Sequence, residues 1–95
     1  MVTVNEVCAY IGIDYVDDMV TTNVNRIIKT ADAYLRGSVG ENYPADDPRA
    51  VEMALIICAD LYENRTFKDT ISGNVRKLID DMSTQLRVEL RRGSV

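Results

Sequence analysis

The residues of this chain that could do chemistry are carboxylates, two thiols and a group of arginines. Asp14, Asp17 and Asp18 fall within five residues, and Asp46 and Asp47 are adjacent. Clusters of this kind bind hard cations, or split into an acid and a base when their environments differ. Both clusters, however, stand directly ahead of amphipathic runs, where a side-chain oxygen caps the free N–H groups of a helix start. Neither has the central glycine and closing glutamate of an EF-hand loop. Capping and solvation are therefore the expected roles. Cys8 and Cys58 have no CxxC spacing and no histidine partner, and both sit in apolar surroundings, so they read as reduced core residues, with a disulfide the less favoured alternative.

Absences narrow the chemistry further. The sequence has no histidine, which removes the commonest general base, the commonest metal ligand and every histidine-dependent triad. Gly37 and Gly40, in "GSVGEN", lack the spacing and lysine of a phosphate-binding loop and follow no strand, so they read as a helix stop. The expectation is a non-enzyme with no cofactor and no bound metal.

Charge and hydropathy limit the partners. Over 95 residues the formal net charge is −4 and the pI is near 4.7, whereas a protein built to grip nucleic acid carries a clustered basic face. Arg87, Arg91 and Arg92 form one small basic group without interleaved aromatics, enough for a passing contact with duplex phosphates but not for reading sequence. The tail "LRRGSV" matches a basic-directed kinase pattern at Ser94, a frequent coincidence in a frayed basic helix end. The longest apolar run, Ala54 to Ala59, is far short of a bilayer span, and no signal peptide is evident; a cytosolic location is expected.

The elements that must position these groups are four helices in one domain spanning 1–95. "TVNE" forms a capping box, Thr3 with Glu6, that starts a helix over Val4 to Ile11, and Gly12 ends it. Asp17 caps a long second helix, on which Val20, Val24, Ile27, Ile28, Ala31, Tyr34 and Leu35 share one face. Asp47 followed by Pro48 opens the third. That helix is apolar nearly all round from Ala50 to Tyr62, with charge only at Glu52 and Asp60. It must be central, and a domain this small is expected to leave some of its surface for another subunit. "TFKDTISG", Thr66 to Gly73, reads as a short loop or extended arm, mobile in the monomer. Asn74 then caps a fourth helix striped with Val75, Leu78, Ile79, Met82, Leu86 and Leu90, with Arg76/Asp80 and Lys77/Asp81 paired on its surface.

The order of these segments carries a resemblance. "VNEVCAYIGID", a long amphipathic helix, "DDPRAVEMALIICADLYENR" and a last helix bearing "QLR" together resemble the tailed-phage head-tail connector family, also called head-completion or adaptor proteins, some of them described as possible DNA-packaging or "QLRG" proteins. The resemblance covers essentially the whole chain, without one decisive motif. It implies an all-α, non-enzymatic virion protein that assembles as a homo-oligomeric ring, a dodecamer in the virion, beneath the portal protein. Such a ring extends the channel through which double-stranded DNA passes without sequence recognition, and offers a platform to stopper or tail-completion proteins. Assembly would take place in the host cytoplasm. An acidic balance suits a conduit, since repulsion lets the duplex slide. Carried onto this sequence, the resemblance implies packing roles for Tyr62 and Leu86. It makes Glu63, Asn64, Arg65, Gln85 and Arg87 candidates to fix the angle between neighbouring helices or subunits. The connection Thr66 to Gly73 is shorter than in many relatives, which puts a loop contact to a neighbour in doubt. The alternative is a small acidic helical adaptor or regulator that binds one protein partner through the surface of the third helix.

Overall fold

The computed structural model describes residues 2–64 and 72–93, with side chains at 2–63 and 72–91. The chain is all-α. Its four helices are α1 (Val4–Ile11), α2 (Asp18–Ser38), α3 (Pro48–Asn64) and α4 (Gly73–Gly93). Three of the helix starts are set by local side-chain chemistry, because the first N–H groups of a helix have no partner inside it. Thr3 Oγ1 accepts from the Glu6 N–H at 3.2 Å while Glu6 Oε1 accepts from the Thr3 N–H at 3.1 Å, closing the capping box. Asp17 Oδ1 accepts from the Val20 N–H at 2.8 Å, and Asp47 Oδ1 from the Arg49 N–H at 2.9 Å. Gly12 ends α1 at φ 94°, a left-handed backbone that a side chain resists. The stop of α2 falls later than the glycine pattern suggests. Gly37 stays helical, the helix runs to Ser38, and the positive φ comes at Gly40.

The start of α4 corrects the expectation of a cap at Asn74. Ser72 occupies the cap position, its carbonyl accepting from the Arg76 N–H at 2.9 Å. The reason is tertiary: Asp60 on α3 receives both the Ser72 N–H and the Ser72 hydroxyl at 2.8 Å. That places a carboxylate at the positive end of α4 and ties the two helices together. The expected loop or arm over Thr66 to Gly73 lies mostly outside the described residues, and its last position, Gly73, belongs to α4.

Helices α2, α3 and α4 pack side by side, and α1 lies against α2 and α3. The Asp60–Ser72 tie at one end of α3 and an Arg49–Glu89 ion pair at the other show that α3 and α4 run antiparallel. Leu61 and Tyr62 lie beside Ile27 and Val20, so α2 is antiparallel to α3 as well. The core is one cluster in which Val7, Val24, Leu35, Met53, Ile57, Cys58, Ile79 and Leu86 are all but sealed from solvent. Each such aliphatic side chain contributes roughly 1.5 to 3 kcal/mol on burial.

Helix α3 touches all three of the others. Its described apolar positions from Ala50 on are buried or half-buried, and its exposed residues beyond Pro48 are charged, Glu52 and Glu63. The apolar excess read from the sequence is thus taken up mainly inside the chain. On α4 the covered arc is narrower than the apolar stripe. Ile79 and Leu86 are buried, Val75 and Met82 half-buried, but Leu78 and Leu90 remain 46% and 39% exposed. The buried arc includes Ser83 instead, whose small side chain faces the Met53 sulfur at 3.7 Å.

Candidate functional site

Two of the clustered carboxylates and both thiols hold structural positions. Asp17 and Asp47 cap helices, and Asp14, Asp18 and Asp46 are exposed. Among the described residues no group of three or more carboxylate or thiol side chains converges on a point that could hold a metal ion. Cys8 and Cys58 are both free and buried, and burial pushes the Cys58 thiol up to about 12. A thiol held that far from ionisation is a poor nucleophile near neutral pH.

Two polar clusters fasten the frame. Arg49, at the start of α3, donates through Nε and Nη2 to the two oxygens of Asp47 at 3.2 Å and through Nη1 to Glu89 of α4. The bonds from Arg49 hold the Asp47 carboxyl below the usual carboxylate range. In the connection between α2 and α3, Tyr43 donates its hydroxyl to Asp32, which also pairs with Arg36 at 3.0 Å. Burial, with the Asp32 hydrogen bond second, raises the Tyr43 phenol far above its ordinary value. Asp80, expected to pair with Arg76, accepts from the Tyr34 hydroxyl at 3.4 Å.

Of the candidates carried over by the resemblance, the described ones, Glu63, Gln85 and Arg87, do not converge. Glu63 is exposed at the last turn of α3. Asn64 is helical but its side chain lies outside the described residues, as does the whole of Arg65. Gln85 and Arg87 are exposed on the far half of α4, with Arg87 Nη2 donating to Thr84 Oγ1 at 3.4 Å. Because α3 and α4 are antiparallel, Gln85 stands thirteen residues along α4 from the Ser72 tie, or about 20 Å at the rise of an α-helix. The two groups therefore mark opposite ends of the hairpin. Of the two expected core positions, Leu86 is buried and Tyr62 half-buried.

What the periodicity missed is the distribution of exposed apolar residues. Tyr10, Tyr15, Val16 and Met19 gather where α1 turns into α2, with Tyr15 77% and Met19 73% exposed. A shallow groove of about 330 Å³ opens beside Met19, lined by Met19, Val20 and Tyr62 among others. Val88 and Leu90 are exposed near the end of α4, and Leu78 near its start. A signal for the first group was present in "IDYVDDM": an aromatic and a valine between aspartates, and a methionine off the face set by Val20, Val24 and Ile27. Arg49, which joins α3 to α4, had no comparable signal, because its partner lies forty positions away.

Exposed apolar groups at more than one place suit contact with other macromolecules. No helix among the described residues is long and apolar enough to cross a membrane. No family model, no curated protein and no solved structure matches the chain.

Proposed function

We propose that this chain is a non-enzymatic virion assembly subunit of the head-tail connector type, acting by forming a ring beneath a portal, extending the DNA channel and offering a docking platform to stopper or tail proteins. The observation that carries the reading is that apolar residues are exposed at more than one place, at the α1–α2 corner and near both ends of α4. A ring is built from heterologous contacts, in which one surface of a subunit meets a different surface of the next. A two-fold dimer, or an adaptor with one partner, requires only a single patch. The order of segments along the chain, which resembles connector proteins throughout, supplies the phage context. The all-helical frame fits both.

The test is the solution mass by light scattering behind gel filtration, over a range of protein and salt concentration, alone and with isolated portal rings. The expected result is one large discrete species, formed either by the protein alone or on the portal, because closed rings stop at a fixed subunit number. A mass of 10.7 kDa at every concentration, with no binding to portal rings, would sink the proposal in favour of a small acidic adaptor.

A further inference from the structure

The exposed patches at the α1–α2 corner and at the far end of α4 differ in the charge that surrounds them, and the difference is complementary. At the α1–α2 corner, Tyr15, Val16 and Met19 are interleaved with Asp14, Asp17 and Asp18, all exposed, and Glu63 at the end of α3 is exposed at the same end of the bundle. Arg26, farther along the groove, is the basic group that faces this corner. At the far end of α4, exposed Val88 shares the outward face with exposed Arg87 and Arg91, and a shallow hollow is formed there by Thr84, Arg87, Val88 and Arg91. The acidic residue there, Glu89, is already engaged by Arg49. The first patch is therefore apolar with an acidic rim, and the second apolar with a basic rim.

We infer that the α1–α2 corner of one copy receives the outward face at the far end of α4 of a second copy, head to tail, with Tyr15, Val16 and Met19 covering Val88 while Asp14 and Asp18 face Arg87 and Arg91. This rests on the assembly reading above and names the contact that would build the ring. A second copy is the occupant because the chain itself carries both halves. Each patch set against its own image would bring like charges together, so the corner pairs with the α4 end and not with a second corner. The apolar centres supply affinity and the charged rims select the register.

The experiment uses Ala9→Cys, an exposed position beside Tyr10, carrying a spin label. The buried Cys8 and Cys58 stay unlabelled. The labelled chain is mixed with isotope-labelled wild type, and line broadening is read along the second copy. Broadening confined to 84–91 is expected. In parallel, Asp14→Lys/Asp18→Lys and Arg87→Glu/Arg91→Glu each weaken self-association by about tenfold or more, and the two pairs combined in one chain restore it. High salt weakens the wild-type contact through screening. If copies associate but broaden elsewhere, or ignore the charge reversals, this contact is overturned while the assembly reading stands. If no broadening appears at any concentration, the contact is overturned and the assembly reading passes to the portal-ring mixture alone.

Discussion

At the scale of the residue, Cys58 shows how burial replaces reactivity with a stability dependence on pH. Its thiol has an ordinary value of 9.0 and is pushed up to about 12 in the folded chain by desolvation. Between those values the folded chain holds a proton that the unfolded chain has released. The stability tied to this group is therefore complete below about pH 9 and is lost as pH rises toward about 12. Urea midpoints are expected to fall from about pH 8 to about pH 10.5, and the fall should be shallower in Cys58→Ala. An equal slope in both proteins would show that Cys58 is not the titrating group. In the native state Cys58 should also be silent to thiol reagents on a timescale shorter than local opening. The core role of both cysteines was legible in the sequence because apolar neighbours on a helical face predict burial. The position of Ser83 was not, since nothing local distinguishes a buried serine facing a methionine from a wet one. Ser83→Ala should change stability by less than about 1 kcal/mol, whereas Ser83→Leu should cost about 1 to 3 kcal/mol by overpacking α4 against Met53. Chemical denaturation of the two variants checks both expectations.

At the scale of the element, legibility followed the range of the interaction. The starts of α1, α2 and α3 are legible in the sequence because Thr3 with Glu6, Asp17 and Asp47 each satisfy N–H groups within three residues of themselves. The start of α4 is not legible locally because its cap, Ser72, is held by Asp60, twelve residues earlier on another helix. The stripe of α4 was read too wide for a related reason: periodicity gives the apolar arc, but the width that is covered depends on how the partner helices sit. The tie itself is testable. Asp60→Ala removes the acceptor for two hydrogen bonds and the carboxylate at the positive end of α4, and should cost about 1 to 3 kcal/mol. Hydrogen exchange should locate the loss, with amides in the first turns of α4 losing more protection than those of α1. Uniform loss across all four helices would mean that Asp60 matters to the global fold and not to this one junction.

At the scale of the whole molecule, the question is where a small helical domain keeps the surface it offers to others. The apolar circumference of α3 points to that helix, and the candidates carried over by the resemblance that are described lie at the end of α3 and along α4. In the structure α3 is surrounded by α1, α2 and α4, and the freest apolar residues are Tyr15 and Met19, which belong to no apolar stripe. These alternatives separate experimentally because burial couples a residue to folding and exposure does not. Leu55→Asp places a charge on a half-buried position packed against the core. It should cost several kcal/mol and damage folding and assembly together, so its effect on assembly alone carries no information. Tyr15→Ser with Met19→Ser removes two side chains that are about three-quarters exposed. It should leave the thermal midpoint almost unchanged, with an effect within about 0.5 kcal/mol, since surface substitutions away from caps and cores do little. If the corner is a docking surface, the same variant should lose the large species seen by light scattering while its circular dichroism stays that of the wild type. Intact assembly in a folded Tyr15→Ser/Met19→Ser protein would move the contact back to the half-exposed edge of α3, where Leu55 and Ile56 are the next residues to vary by volume and not by charge.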